Sequence, residues 1–475
     1  MASLGTLYIA SEWIIRVAML FYVPQRRAPA SARAWLLLIF FLPWFGFILY
    51  GLIGRVFLPQ RRLEMQAKVM EALRALGARG QNKRPPRPAL PPEFSPALTL
   101  AEELSEFPVV GANRFELLPE YGHAIERLVE EVDGAGASVH MLYYIFEHDE
   151  VGDRMADALV RATQRGVNVR VLMDAIGSRG GLKGLAPRLR AAGIEVTVVL
   201  PLRLWGPNKV RFDLRNHRKI AVIDGRAAFF GSQNIVSPHA NRGLVNEEMM
   251  VRATGPIVRQ LHGLLLADRY LEVGDLPPES RETPAAGSSD DRTAGLAQVL
   301  PSGPGYNAGT TEELMIAMMS AARTRVALTT PYFIPSESFL LSMKLAARRG
   351  VAVHLIVSGE SNKPLVQFAQ QSYYDGLLEA GVHVHRYYGN FLHAKHMSVD
   401  DGVALIGSSN FDMRSFALNA EVSVLVYDHA VTAELRQVQE RYLERSEHLT
   451  TEGWAQRSIG RRALENLARL TDSLL

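Results

Sequence analysis

Two short stretches bring together residue types that can do chemistry on a phosphate. Residues 217–224 read HRKIAVID and residues 393–400 read HAKHMSVD, so the spacing His-x-Lys-x-x-x-x-Asp occurs twice. In a strand, residues two apart share a face, which sets His217 beside Lys219 and His393 beside Lys395. Fourteen residues after each histidine stands the glycine of GSQN (231–234) or GSSN (407–410), and these offer Ser232, Asn234, Ser408 and Asn410 as hydrogen-bond donors. Farther on, NEEMMV (246–251) aligns with NAEVSV (419–424) and places Glu248 opposite Glu421. An ammonium beside an imidazole repels a metal cation and attracts a phosphate, and the amide and hydroxyl donors add to that attraction. A glutamate bound to the far ring nitrogen would set the imidazole tautomer and support its charge. Two such units face to face give a phosphodiester an imidazole on either side. One attacks phosphorus; the other protonates the departing alkoxide and then deprotonates the incoming hydroxyl. Neither a metal nor a cofactor is expected. A single motif of this kind would read as an ordinary strand and turn, but its duplication with the same sequel favours function. Asp224 stands an odd step beyond Lys219 with Gly225 after it, a position that suits a hairpin turn better than contact with substrate.

Such residues need strands to hold them, and the chain supplies the same set twice. The first copy runs SVHMLYYIF, a helix-like stretch ending RGVNVRVLMD, then AAGIEVTVVL, then its histidine motif. The second runs RVALTTPYFI, a stretch ending RGVAVHLIVS, then EAGVHVHRYY, then its own motif. Apolar strands alternating with amphipathic runs predict an α/β fold written twice. Halves that each supply one histidine predict a pseudo-twofold pair with one shared site at the join. KRPPRPALPPEFSP (83–96) reads as an extended proline-rich linker and LPPESRETPAAGSSDD (276–291) as a flexible crossover. The expected organisation is a membrane hairpin over 1–58, a juxtamembrane helix and linker over 59–105, and a first half over 106–275. A crossover over 276–297, a second half over 298–450 and a C-terminal amphipathic helix over 451–475 complete it.

The membrane expectation comes from AWLLLIFFLPWFGFILYGLI (34–53), twenty residues without a charge, which as one helix would cover about 30 Å of hydrocarbon. The earlier run Leu4–Val23 holds Glu12 and Arg16, spaced to pair at i,i+4. Together they predict a transmembrane helical hairpin of two spans, linked by PQRRAPASAR with Arg26, Arg27 and Arg33. Arg55, Arg61, Arg62, Lys68 and Arg74 follow the second run. With positive charge in both link and exit, the positive-inside rule gives no clean orientation; the larger number at the exit leans toward a cytoplasmic catalytic part. Over the whole 475-residue chain, 52 Lys and Arg stand against 49 Asp and Glu, a net +3 that gives no bulk case for a nucleic-acid partner. The absence of cysteine excludes disulfides, thiol nucleophiles and cysteine-held zinc or iron–sulfur.

Four further features carry two readings each. Lys209, Arg211, Arg215 and Arg218 flank the first motif as a solvated basic edge or a phospholipid headgroup patch. His383, His385 and His396 read as strand or surface histidines rather than metal ligands with His393. GSRGGLKG (177–184) lacks the spacing of a phosphate-binding loop and reads as a mobile loop. WAQRSIGRRALENLARL (454–470) is a basic amphipathic helix that either packs on the domain or lies on a bilayer.

The doubled HxKxxxxD with GSxN resembles the phospholipase D superfamily. The apolar hairpin, QVLPSGPGYN (298–307), TTPYFIPS (329–336) and SSNFDMRSFALNAE (408–421) extend the resemblance to its bacterial cardiolipin synthases over nearly the whole chain. That resemblance implies two phospholipase D-like halves and a covalent phosphatidyl-histidine, with His217 favoured as nucleophile. It implies phosphatidylglycerol as substrate, cardiolipin and glycerol as products, and a multi-pass place in the bacterial inner membrane. By motif, His217, Lys219, Asp224, His393, Lys395 and Asp400 carry over as catalytic, and Asn234 and Asn410 accompany them. One departure is that ANRGLVNEE, ahead of Glu248, lacks the tryptophan often found there. The alternative function is a phospholipase D in which water intercepts the intermediate and releases phosphatidic acid. The same catalytic residues serve both.

Overall fold

The tripeptide Arg-Gly-Val that recurs in the sequence is a helix stop. In the computed structural model of the chain, Gly166 and Gly350 take φ values of 88° and 90°. The next amide then turns back: Val167 N donates to Ala162 O at 3.1 Å and Val351 N to Ala346 O at 3.2 Å. These bonds close helices Glu150–Gln164 and Glu337–Arg348 just before strands Asn168–Asp174 and Ala352–Ser358 begin. A β-carbon resists that φ, so glycine is what lets helix become strand within three positions. The structure describes all residues except 1–3, 28, 55–57, 80–86, 106, 203–210, 212, 241–242, 276–293, 307–308, 362 and 471–475. Most of the expected crossover, the start of the proline-rich linker and Lys209 therefore lie outside the described residues.

Among the described residues the first half builds a seven-stranded sheet. Its order is Arg114–Leu118, Met250–Thr254, Ala227–Gly231, Lys219–Ile223, Ser138–Tyr143, Asn168–Asp174 and Glu195–Val199. The last three are parallel and the rest antiparallel. The second half repeats the plan in an eight-stranded sheet. There Ala352–Ser358 lies parallel between Arg325–Thr330 and His383–Tyr387, while His396–Val399, Val403–Gly407 and Glu421–Tyr427 continue antiparallel. This mixed α/β pair is the architecture expected of the duplicated pattern.

Between the sheets lies one apolar core, joining Ile220, Val222 and Phe230 of the first half to Ile406, Val422 and Val424 of the second. Helices Ile257–Val273 and His429–Glu444 contribute Leu261, Leu264, Leu435 and Val438 to it. Separate cores fill the outer faces beneath each half's own helices. Because the central core needs both sheets, neither half can bury its inner face alone. Residues ahead of the first half join in: Arg62 pairs with Glu272 at 2.6 Å, and helix Ser95–Leu104 seats Ala97 and Ala101 in the second half's outer core.

The N-terminal segment departs from the expected hairpin in its second limb. Leu4–Tyr22 is one apolar helix, long enough to cross a membrane. Residues 34–53 are not one helix: Pro29–Phe41 ends, Leu42 turns with φ −130° and ψ 74°, and Pro43–Leu49 follows, then a π-helical turn Tyr50–Gly54. Pro43 has no N–H to continue the ladder, and its ring clashes with the carbonyl four residues back. The chain doubles back there. Gly46 lies so close to Ile39 that a β-carbon would come 2.8 Å from its Cα, and the Tyr50 ring stands edge-on to Trp35 at 5.2 Å. Elsewhere, GSRGGLKG is a short helix rather than a loop: Gly181 packs on Phe146, whose carbonyl would be 1.9 Å from a β-carbon there. The C-terminal helix Ile459–Arg469 packs on the second half by its charged face, with Glu465 buried 2.7 Å from Arg457, and leaves Ile459, Leu464 and Leu467 exposed.

Candidate active site

Each histidine motif enters its sheet through a contact with the other half. Asn216 bridges Ala420, His217 N donates to Ala420 O at 2.8 Å, and Ala420 N donates to Arg215 O at 2.9 Å. In the counterpart, Phe391–Leu392 pairs in parallel with Asn246–Glu247, and His393 N donates to Glu247 O at 2.7 Å. The residue after each stitch is a glutamate, so each histidine meets the other half's carboxylate. His217 Nδ1 lies 2.9 Å from Glu421 Oε2, and His393 Nδ1 lies 2.7 Å from Glu248 Oε1. With Nδ1–H donating, Nε2 is left as the free base of each ring.

Behind each carboxylate sits a serine of the GSxN motif. Ser232 Oγ donates to Glu248 at 2.5 Å and accepts from Met249 N at 2.9 Å; Ser408 Oγ donates to Glu421 at 2.6 Å and accepts from Val422 N at 3.0 Å. The preceding glycine permits this closeness, since a β-carbon on Gly231 or Gly407 would lie 2.2 or 2.3 Å from the Met249 or Val422 carbonyl. Ser232 and Ser408 are thus corrected from substrate ligands to supports of the glutamates: both are fully buried with their hydroxyls committed.

Both histidines line a cleft of about 390 Å3, together with Asn234 and Asn410. Asn234 Oδ1 is held by Ile145 N at 3.1 Å, whereas Asn410 Oδ1 has no partner among the described residues. Lys219 and Lys395 are buried beside the histidines, each donating to its own histidine's carbonyl, Lys219 at 2.6 Å. Arg215 also lines the cleft, and Arg218 is buried on Asp268 at 2.5 Å with its Nε on Glu421 O at 2.9 Å. Arg218 is therefore neither a solvated edge nor a headgroup contact; it anchors the strand that carries Glu421. The cleft adds Tyr144, Tyr332, Lys363 and Arg414. Lys363 stands over the Tyr332 ring at 4.7 Å. No periodicity marks these four, although Tyr144 and Tyr332 fall inside the repeated strand segments.

The third motif residue goes elsewhere. Asp224 accepts from the backbone N–H groups of Gly136, Ala137 and Ser138 at 2.9, 2.7 and 2.8 Å. Asp400 accepts from Arg323, Thr324 and Arg325 at 2.9, 2.8 and 3.0 Å. Both lie at the far ends of their strands with left-handed φ of 52° and 45°, a conformation that aspartate tolerates at turns. Their catalytic assignment is corrected to a structural one, because the carboxylates tie the hairpin to the start of the neighbouring strand. His383 and His385 lie on an outer strand beside His354 and His448, and His396 is buried against Gln439. None of these histidines joins His393 at the cleft.

Burial shapes the charges of the cluster. It pushes Lys219 down to about 8 and Lys395 to about 7, despite the nearby glutamates. It lowers His217, against the support of Glu421, and lowers His393 further, with Lys395 and Lys219 adding repulsion. Glu248 is pushed up by burial to about 7, only partly offset by Lys395. Glu421 feels the same burial, yet His217 and Lys219 outweigh it and hold the carboxylate below its ordinary value. A phosphate entering the cleft would supply the missing negative charge and raise both imidazoles and both ammoniums.

The chain matches the family described as cardiolipin synthase, PLD-like domain, over residues 128–265 and 315–443. It matches phospholipase D-nuclease N-terminal over 13–55. Cardiolipin synthase A of Yersinia pseudotuberculosis serotype O:1b (strain IP 31758) and that of Yersinia pestis are 34% identical over 462 residues, covering 95% of this chain and 94% of each relative. Among solved structures, phosphatidylserine synthase of Haemophilus influenzae Rd KW20 is similar with a TM-score of 0.63 at 15% identity, over 80% of this chain and 100% of that one. That last likeness is one of fold.

Proposed function

The chain belongs to the phospholipase D-type cardiolipin synthases, which are phosphatidyltransferases, and we propose that its own reaction joins two phosphatidylglycerols with release of glycerol. The observation that carries this reading is the crossed pairing, which sets two carboxylate-supported imidazoles on one cleft. His217 Nε2 attacks the phosphorus of the first lipid; the bond from phosphorus to the glycerol oxygen breaks, and His393, whose Nε2 takes up a proton once the entering phosphate raises its imidazole, gives that oxygen the proton. The headgroup hydroxyl of a second phosphatidylglycerol then enters, loses its proton to His393 and attacks phosphorus. The P–N bond breaks, His217 is regenerated, and cardiolipin leaves. Lys219 and Lys395 have further N–H groups for the phosphate oxygens, and Asn234 and Asn410 lie on the cleft to hold them. One phosphodiester replaces another, so the exchange is close to balanced in energy and needs no nucleotide. Residues 1–58 anchor the enzyme in the bacterial inner membrane, where both substrates reside.

The test is product analysis with the purified full chain in mixed micelles of phosphatidylglycerol. Cardiolipin and glycerol in equal amounts support the synthase. Phosphatidic acid and glycerol without cardiolipin would make this chain a hydrolase with the same catalytic cluster.

A further inference from the structure

We propose that residues 29–54 form a re-entrant wedge that enters and leaves the bilayer on the catalytic side, so that only helix Leu4–Tyr22 crosses. The inference rests on the membrane anchoring proposed above. Its surface partner is the lipid of one leaflet.

Three observations carry it. The first is length and direction. Pro29–Phe41 has thirteen residues, about 20 Å at 1.5 Å per residue, which falls short of the ~30 Å hydrocarbon layer. Its return limb runs antiparallel to it, with Gly46 on Ile39 and Tyr50 on Trp35, so both ends of the segment finish at one level. The second is the apolar surface. Phe41, Leu42, Phe45 and Ile48 are exposed at the turn and on the return limb, and no charge occurs between residues 34 and 54. A turn with that surface needs hydrocarbon around it. Irregular backbone at such depth needs its polar groups met from within the protein. Arg16 Nε donates to Phe40 O at 3.1 Å and its guanidinium pairs with Glu12 at 3.4 Å. The two charges inside the first apolar helix thereby gain a purpose: they brace the turn.

The third observation is charge. In a two-span hairpin Arg26, Arg27 and Arg33 would face the side opposite Arg61 and Arg62. In the wedge all of these share one side, and residues 1–15, on the other, hold no lysine or arginine. The positive-inside rule then gives one orientation, with the catalytic halves cytoplasmic and the N-terminus outside. The link also meets the catalytic part. Burial, then the neighbouring Arg211 cation, holds Arg27 below its ordinary value, with Tyr50 and Asp213 opposing. Arg414, which lines the cleft, donates to the Asp213 carbonyl. The headgroup end of the wedge is thereby directed toward the segment that carries Asp213, and through it toward Arg414 of the cleft.

The absence of cysteine makes the test direct. Single-cysteine variants Leu4→Cys, Gln25→Cys, Arg26→Cys and Arg154→Cys of the full chain are labelled with a membrane-impermeant maleimide in right-side-out and inverted vesicles. Resistance to carbonate extraction is checked first; extraction of the protein would defeat the anchoring and the wedge together. With the protein retained, residues 25, 26 and 154 should label in inverted vesicles and residue 4 in right-side-out vesicles. Labelling of 25 and 26 from the side opposite 154 would overturn the wedge in favour of two full spans, while leaving the anchoring intact. Labelling of 4 on the same side as 154 would overturn the single crossing.

Discussion

The two halves place equivalent atoms almost alike and charge them differently. Histidine meets glutamate at 2.9 Å in one cross-half pair and 2.7 Å in the other, and serine supports glutamate at 2.6 and 2.5 Å. Yet Glu421 is held below its ordinary value, whereas Glu248 is pushed up to about 7. Both carboxylates are buried, so the difference lies in the cations each one feels. His217 and Lys219 outweigh burial at Glu421; Lys395, itself lowered to about 7, does not outweigh it at Glu248. An ionised carboxylate behind His217 makes that imidazole the better nucleophile. The more weakly supported His393 suits a group that gives and takes a proton. A duplicated unit can thus divide two roles between equal geometries by electrostatics alone.

The largest expected effect concerns the histidines. His217→Ala and His393→Ala should each lower turnover by roughly 10⁴-fold or more, as loss of a nucleophile or of the proton-transfer group implies. With a phosphatidyl ester of p-nitrophenol, whose leaving group needs no proton, His393→Ala should still form a phosphatidyl adduct on His217, read by mass spectrometry of the peptide. An adduct on His393 in the His217→Ala variant would reverse the division of roles.

Next come the supporting carboxylates. Glu421→Gln removes a formal charge and should reduce kcat by roughly 10²–10³-fold, while Glu248→Gln, replacing a group neutral part of the time, should cost about tenfold. Equal losses would break the asymmetry. The lysines set a smaller, pH-dependent effect. Their ammonium charges are present below about 7 for Lys395 and about 8 for Lys219 and are lost above. KM for phosphatidylglycerol should therefore rise by roughly tenfold from about pH 7 to about pH 9, and a flat profile would show that the lysines do not hold the phosphate.

The smallest effect on turnover belongs to the aspartates. Asp224→Ala and Asp400→Ala should each cost about 2 kcal/mol of stability through lost bonds to a charged acceptor, with kcat per folded molecule unchanged. Burial pushes both carboxyls up, but the backbone donors outweigh it and hold them below their ordinary value. Their stabilisation is thus complete above the unfolded carboxyl range and lost as pH falls through the lowered folded value. Urea unfolding at neutral and acidic pH should show the variants converging on the parent in acid. Loss of turnover in a fully folded variant would return these residues to the catalytic set.

Much of the fold was legible because it rests on local signals. Arg-Gly-Val marks two helix ends, apolar runs mark the strands, and the duplication marks the halves. Asn234 and Asn410 were placed on the cleft by motif spacing alone. Ser232 and Ser408 were misread because spacing shows which residues are near a histidine, not which way a hydroxyl turns once a glutamate strand lies beside it. Lys363, in the loop ahead of helix Pro364–Gln371, had no signal, and Arg414, on the short helix Met413–Ala417, lay inside a segment singled out only by resemblance. The apolar run at 34–53 was read as one helix because Pro43 and Gly46 are tolerated within a membrane span, and composition does not show that the chain breaks at Leu42.

The residue types, their spacing and their repetition were determined by the sequence, and with them the reaction class, because phosphate chemistry needs those groups on one strand face. Which glutamate serves which histidine was decided only by the tertiary structure. The parallel stitches at Asn216–Ala420 and Leu392–Glu247 cross between the halves, and a side chain can hydrogen-bond only to what packing sets within about 3 Å of it.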